Sequence, residues 1–295
     1  MLIDQMIPAE LTAITVRVNG GLGNQLFQYA AARSLALDRQ TKLVLDRSFY
    51  DKRRHRSYEL DQFGICGDYL VPVHGYRWVH SLRKLGRRVF RLDSAEYFEP
   101  HFHFDPKLQS IEVPCILNGY FQSPRYFQHH ADTIRRELRP PEATDEESRR
   151  LAEILEDADS VSLHVRRGDY VTNAKARQVF AECGQDYYLR ALDRIPNGGP
   201  VVVFSDDIAW AQQHLPTTRK LIFSGQANDT KRRSGLEDLW LMTKAEHHII
   251  ANSTFSWWGA WLAEKQNGTK IAPDRWFCES REKSADLIPD EWIRL

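Results

Sequence analysis

The sequence predicts an α/β protein built of two halves, each a parallel sheet covered by helices. Three observations carry this. Ile14–Val18 alternates apolar and polar residues, enters Asn19-Gly20-Gly21-Leu22-Gly23-Asn24, and is followed by a helical stretch through Leu37 and a strand at Lys42–Leu45. A strand, glycine loop, helix and strand in that order signal a βαβ unit. Beyond residue 140 strands and helices alternate again, which implies a parallel sheet with both faces covered. Between the halves stands Arg139-Pro140-Pro141, and proline cannot continue a helix or donate to a sheet. A length of 295 residues suits two domains at roughly 150 residues each. The boundaries read as 1–140, 141–275 and 276–295, the last a C-terminal segment packing back on the first domain.

The first half is irregular and rich in aromatics from residue 47 to 128. Arg77–Arg91 holds six basic residues and no acidic one. Leu82, Leu85, Val89 and Leu92 follow at helical spacing, which predicts a helix with its apolar side on the core and a solvated basic side. Contact with an anionic membrane surface is the other reading. In the second half, Thr144 and Glu147 form a capping-box pattern for a helix carrying Leu151, Ile154, Leu155 and Ala158. Strands follow at Val161–Val165, Val201–Phe204, Leu221–Phe223, His248–Ala251 and Lys270–Ala272, with helices at Gly235–Lys244 and Thr254–Lys265.

Composition excludes several classes of function. Forty basic residues balance forty acidic ones, so net charge points to no polyanionic partner and to no nucleic acid. No apolar run approaches the length of a membrane span. The N-terminus, without a basic region or an unbroken apolar core, predicts no secretory leader. Cys66, Cys115, Cys183 and Cys278 are scattered, with no CxxC, and read as free thiols in a reducing compartment. The expected location is therefore cytoplasmic, with any membrane contact peripheral, at the inner face.

Four segments can carry chemistry. In Gly20-Gly21-Leu22-Gly23-Asn24-Gln25, glycines let the backbone approach a ligand, and Asn24 and Gln25 bring two amides suited to sugar hydroxyls. A dinucleotide site with Asp46 on a ribose is the competing reading, but the third glycine of GxGxxG is missing. In His164-Val165-Arg166-Arg167-Gly168-Asp169-Tyr170 a strand ends in two arginines. The end of a parallel strand is the ligand edge of such a sheet, and a guanidinium fork matches phosphate oxygens. One arginine reads as a ligand group; the other is structural, with Asp169 a local partner. In Phe204-Ser205-Asp206-Asp207 either acid can accept hydrogen bonds from a base or ribose, or cap the next helix. In Asn252-Ser253-Thr254-Phe255-Ser256 a helix opens with more hydroxyls and amides than a cap needs, which suits phosphate; Trp257, Trp258 and Trp261 read as core. The one DxD, Asp157–Asp159, precedes a strand, on the wrong edge for a sugar-transferase metal. His129-His130 and His247-His248 are adjacent pairs expected to diverge on strands, so no metal site is predicted. Three Asn-x-Thr sequons, at Asn228, Asn252 and Asn267, read as chance matches.

Together, GGLGNQLFQYA, HVRRGDY, FSDD and NSTFSWWGAWL resemble the α-1,2-fucosyltransferase family, glycosyltransferase family 11, in order and spacing over residues 14–275. HxRR is shared more loosely with α-1,6- and protein O-fucosyltransferases; the SWWGAWL run points to the α-1,2 branch. The resemblance implies a GT-B-like fold, two Rossmann-like domains facing across a cleft, with the acceptor mostly on the first and GDP-fucose mostly on the second. It implies inverting transfer of L-fucose from GDP-β-L-fucose to the 2-OH of a terminal β-galactoside, without a metal or other cofactor. By resemblance Arg166 binds the pyrophosphate with Ser253 and Thr254, and Arg167 belongs to the same nucleotide-binding set. His164 and Asp206 or Asp207 lie near the guanosine, while Gly23, Asn24 and Gln25 face the fucose and acceptor. Related α-1,6 enzymes place an acid a few residues after HxRRxD, but Tyr170-Val171-Thr172-Asn173-Ala174 has none; Asp169 is the nearest carboxylate for a general base. A nicotinamide-linked oxidoreductase, resting on the glycine loop, and a non-catalytic carbohydrate-binding module, resting on the aromatics, are the alternatives.

Overall fold

A computed structural model of the chain describes residues 13–51, 56–69, 95–168, 173–196, 198–215, 217–225, 234–278 and 285–295. The basic stretch Arg77–Arg91, Asp169 and the Asn228 sequon lie outside them. The chain divides into two compact units, Met1–Leu138 and Arg139–Leu295.

Unit 1 contains β1 (Ile14–Arg17), α1 (Leu22–Asp38), β2 (Leu43–Asp46), α2 (Ser48–Asp51), β3 (Asp68–Tyr69), β4 (Ala95–Phe98), β5 (Cys115–Asn118) and α3 (Ala131–Glu137). Its sheet has the order β3-β2-β1-β5-β4, and every pairing is parallel. Nearly all of α1 is buried, polar Gln25, Gln28 and Ser34 included. A helix buried all round lies inside its unit, not on its surface. Glu137 of α3 fixes it: its carboxylate accepts from the Tyr29 hydroxyl at 2.7 Å and pairs with Arg33 at 2.8 Å.

Unit 2 contains α4 (Glu146–Leu155), β6 (Val161–Val165), α5 (Ala174–Val179), α6 (Gln185–Leu192), β7 (Val201–Ser205), α7 (Ile208–His214), β8 (Leu221–Phe223), α8 (Gly235–Lys244), β9 (His247–Ile249), α9 (Thr254–Trp261), β10 (Lys270–Ala272) and β11 (Ile293–Arg294). The sheet order β11-β10-β9-β6-β7-β8 is again wholly parallel. Counted along the chain this is 3-2-1-4-5-6 read from β8, the Rossmann order, with its topological switch between β6 and β9. The pleat sends alternate residues to opposite faces. Val201 and Val203 join Tyr188 and Ala191 of α6 on one face, while Val202 and Phe204 join Leu151 of α4 and Trp240 of α8 on the other.

Two expectations need correction. The cap of α4 is Asp145, whose side chain accepts from Ser148 N at 2.8 Å, so the cap falls one residue beyond Thr144. The helix expected to reach Lys265 ends at Trp261, and Glu264 N bonds instead to the Thr243 carbonyl at 2.9 Å. The C-terminal segment belongs to unit 2, where β11 extends the sheet, Trp257 Nε1 donates to the Leu287 carbonyl at 2.9 Å, and Trp292 packs 5.6 Å from Trp257.

Candidate functional site

In an open parallel sheet the ligand edge lies at the C-terminal ends of the strands, beside the switch point. Unit 2 places its charged residues there. β9, β6 and β7 are neighbours, so Ser253 and Thr254, Arg166 and Arg167, and Asp206 and Asp207 follow three adjacent strand ends. Arg166 Nη1 lies 2.9 Å from Asp206 Oδ2, and its side chain is 30% exposed against 6% for Asp206. The other Asp206 oxygen accepts from Arg167 N at 2.8 Å. A Cβ at Gly168 would run into that carboxylate, so this turn requires glycine.

The two arginines are treated differently. Arg167 is clamped: Nη1 lies 2.6 Å from Glu182, Nε 3.4 Å from Asp207, and the guanidinium sits 4.2 Å above the Trp210 ring. Its side chain is only 13% exposed. One arginine is therefore built into the fold and the other reaches the edge; the described clamp is Glu182, Asp207 and Trp210, and Asp169 lies outside the described residues. Asp207 also caps α7, accepting from Trp210 N at 3.1 Å. Both acids expected near a guanosine thus hold the arginine turn. A cavity of about 580 Å³ opens on this side of the unit, lined in part by Glu182, Cys183, Asp274 and Arg275.

His164 is buried within β6, its ring 5.7 Å from that of Phe255 in the first turn of α9. Burial and the nearby Arg166 charge push its pKa down to about 3, so the imidazole is neutral at physiological pH. It couples β6 to α9 and is only 6% exposed. Asn252 is also spent inside: its amide donates to the Ala181 and Trp276 carbonyls, and Oδ1 accepts from Cys183 Sγ at 3.5 Å. With no exposed surface it is no glycosylation acceptor. Ser253 stands at the N-cap of α9 but its side chain makes no capping bond, so the helix entrance keeps donor capacity for an anion.

Unit 1 builds its edge from amides. Gly20 has φ +85°, a conformation natural to glycine, and a Cβ there would come within 2.7 Å of Asn24 Nδ2. Gly23 is buried in the first turn of α1. Asn24 is partly exposed and its Oδ1 accepts from Gln122 Nε2 at 3.0 Å. Gln25, expected to face a sugar, points inward. Its Nε2 donates to the Ser57 carbonyl at 2.9 Å and its Oε1 accepts from Glu59 N at 2.9 Å. Gln28, one turn on, joins Asn19 N to the Gly119 carbonyl, both at 2.9 Å. Since β1 and β5 are the switch-point strands of this sheet, these amides fasten together the two loops at the switch point.

Three groups here escaped the sequence reading. Glu99 accepts from Tyr120 N at 2.6 Å and Phe121 N at 3.0 Å, fixing the turn that carries Gln122. Glu59 sits beside the glycine turn; burial raises its carboxyl above the usual range against the pull of Arg56, with Asp61 adding to the rise. Arg56 approaches Gly21, its Nη1 lying 3.1 Å from where a Cβ would stand. The signal for the first was Gly119-Tyr120-Phe121-Gln122, a strand-end glycine followed by an amide, as in Gly23-Asn24-Gln25.

The expectation that adjacent histidines diverge on strands holds for His247 and His248, which lie on β9, and needs correction for the other pair. His129 and His130 lie on a 3₁₀ turn, not a strand. Their Nε2 atoms converge on Asp38, at 3.0 and 2.8 Å. The three side chains have the donor set for a divalent transition metal. The cluster is at the far end of α1 from the glycine turn, about 25 Å away at the helical rise. Asp159, of the DxD, lies 3.6 Å from His247 before β6, on the edge opposite Arg166. Among the described residues, no helix is long and apolar enough to cross a membrane, and all four cysteines are free thiols.

The sequence profile of glycosyl transferase family 11 matches residues 89–295. An alpha-1,2-colitosyltransferase of Escherichia coli is 33% identical, covering 97% of this chain and 99% of that protein. Galactoside alpha-(1,2)-fucosyltransferase 1 of Rattus norvegicus is 27% identical over 95% of this chain and 72% of its own length. Among solved structures, the fucosyltransferase NodZ from Bradyrhizobium aligns with a TM-score of 0.43 and 15% identity, covering 84% of this chain and 92% of that one.

Proposed function

Because the chain belongs to glycosyl transferase family 11, we propose that it moves L-fucose from GDP-β-L-fucose to the 2-OH of a terminal β-galactoside, with inversion to an α linkage. Unit 2 holds the nucleotide and unit 1 the acceptor. The observation that carries this reading is the switch point of unit 2, where Arg166 and the entrance of α9 follow the adjacent strands β6 and β9. In the reaction the acceptor O2 attacks C1 of the fucose from the face opposite the leaving group. The bond from C1 to the β-phosphate oxygen breaks, and GDP departs with one more negative charge. Arg166, Ser253 and Thr254 meet that charge where it develops, which is where fixed donors accelerate a reaction most. Arg167, Asp206 and Asp207 keep Arg166 in place. His164 packs the strand against α9, and Gly23 is buried in the first turn of α1 beside Asn24. Asn24 addresses the sugars; Gln25 holds the segment beside it. The acceptor proton passes to a carboxylate. Asp169 is one candidate, and Glu59, made more basic by burial beside the glycine turn, is another. No redox cofactor has a part in this chemistry.

The 33% identity to a colitosyltransferase favours a second donor, since colitose is L-fucose without its 3-hydroxyl. Both readings are tested by turnover of GDP-fucose and GDP-colitose against galactose-terminated oligosaccharides, with the linkage of each product read by NMR. An α-1,2-linked fucoside is the expected product. Efficient transfer of colitose alone would move the donor to the second reading, and no transfer from either would overturn both.

A further inference from the structure

The large hydrophobic side chains of unit 1 that stand exposed, among the described residues, are all aromatic: Tyr69 at 37%, Phe98 at 63% and Tyr120 at 36%. All three lie on one edge. Tyr69 ends β3 and Phe98 ends β4, the two outer strands, and Tyr120 follows β5. The glycine turn after β1 lies between them. Exposed aromatic area is costly unless it is used, and here it is confined to the ligand edge of the sheet.

On the Tyr69 side the rings form a chain of contacts. Arg47 after β2 lies 5.0 Å from the Tyr69 ring and 5.9 Å from that of Tyr58. Tyr58 touches both Tyr69 and Tyr50, at 5.9 and 5.7 Å, and the Tyr50 hydroxyl donates to the Gly20 carbonyl at 3.0 Å. Beyond the glycine turn the row resumes at Tyr120 and ends at Phe98, which pairs in register with Asn118. Polar groups are interleaved: Arg17 donates to Asn118 Oδ1 at 2.9 Å and pairs with Glu96 at 2.6 Å, and Asn24 sits at the turn.

The Tyr120 position is also fixed in advance. Glu99 binds its backbone N–H and that of Phe121, Gln28 holds the Gly119 carbonyl, Phe121 is buried at φ +53°, and Gln122 is tied to Asn24. Every neighbour in this turn is used to hold it, and the Tyr120 ring is what it presents. Rigid aromatic faces with polar groups between them suit pyranose rings, whose C–H faces pack on π-systems while their hydroxyls find donors and acceptors. Four strand spacings of about 4.8 Å make the row roughly 19 Å long, more than one sugar occupies.

We propose that this edge is an extended acceptor ledge that binds a glycan of several sugars, with one position at the glycine turn and others on Tyr120 and Phe98 and on Tyr69. The proposal rests on the reading that unit 1 carries the acceptor. Its test is calorimetry on the full chain with GDP present, titrating methyl β-galactoside, a β-galactosyl disaccharide and a β-galactosyl tetrasaccharide. The tetrasaccharide should bind about tenfold or more tightly than the monosaccharide. That ratio should collapse toward one in Phe98→Ser and Tyr120→Ala, fall in Tyr69→Ala, and be retained in Tyr120→Phe, which keeps the ring. A folding defect lowers all three affinities together and leaves the ratio. Equal wild-type affinity for the three sugars, or a ratio unmoved by the alanine and serine variants, overturns the ledge. An intact ratio without transfer from GDP-fucose supports the ledge and overturns the proposed reaction instead.

Discussion

The C-terminal edges of the two sheets have similar geometry and opposite chemistry. In unit 2 the loops after β6 and β7 are held by charge: Asp206 grips Arg166 and the Arg167 backbone, while Glu182, Asp207 and the Trp210 ring grip Arg167. In unit 1 the loops after β1 and β5 are tied to each other by neutral amides, Gln28 and Gln122, and the ring row lies alongside. Charged groups occur there as well, but they are spent within the unit: Arg17 pairs with Asp46 and Glu96, and Glu99 holds the Tyr120 and Phe121 N–H groups. A polyanion needs a cation whose own partners fix it without covering it. A neutral glycan needs rings and amides, and a strong charge there would only add desolvation cost. On this view the difference between the edges is a division of labour between donor and acceptor.

The division is broken most severely at Arg166. Arg166→Lys keeps the charge but loses the planar fork. Because the phosphate charge grows in the transition state, kcat should fall by roughly 10²–10³, nearly as far as in Arg166→Ala. Steady-state kinetics with circular dichroism as a folding check decides this. A folded lysine variant within about threefold of wild type would pass the role to Arg167, whose clamped side chain argues against it. Asn24→Ala should cost transfer about 10- to 100-fold, the range for a lost hydrogen bond at a buried site; single-turnover rates at saturating GDP-fucose would show it.

Smaller effects sharpen the contrast. His164 and His248 are each buried neutral in unit 2, with pKa values lowered to about 3 by burial first and neighbouring positive charge second. The unfolded chain binds these protons near pH 6.5 and the folded chain does not. Stability is therefore complete above that pH and should fall between 6.5 and 3, by about 1.4 kcal/mol per pH unit for each histidine. Urea titrations of the wild type and His248→Gln at pH 7, 6 and 5 test this; an unchanged slope in the variant would contradict it. Chelation should have the least effect. In the proposed mechanism Arg166 supplies the positive charge, and the Asp38–His129–His130 cluster is at the wrong end of α1. Activity should survive EDTA; loss on chelation with recovery on adding Mn²⁺ or Mg²⁺ would require a metal at the nucleotide.

The sequence showed the βαβ start, the central strands of unit 2 and the two loops that end in charge or amide, because each is written in local periodicity and turn residues. It did not show which polar side chains face inward. Asn24 and Gln25 are neighbours of the same chemistry, yet one lies at the turn and the other is consumed by Ser57 and Glu59, thirty-two and thirty-four residues away. For Asp206 and Asp207 the sequence leaves a ligand role and a helix cap both open; Asp207 does cap α7, and the ion pairs with Arg166 and Arg167 are not legible in it. Long-range partners decide such cases, and periodicity does not report them. Only His129-His130 departs from the expected strand, for a local reason: it lies on a 3₁₀ turn, where adjacent side chains can converge. The outer strands β3 and β11 were missed because two residues give no alternation to read.

The division of labour is tested most directly by titrating GDP into the wild type, Arg166→Ala and Asn24→Ala and comparing affinities by calorimetry. Arg166→Ala should weaken GDP roughly tenfold to a hundredfold, the loss expected for charge-assisted hydrogen bonds, while Asn24→Ala should bind GDP as the wild type does. Equal weakening in both variants, or wild-type affinity in Arg166→Ala, would contradict the assignment of the nucleotide to unit 2 and the acceptor to unit 1.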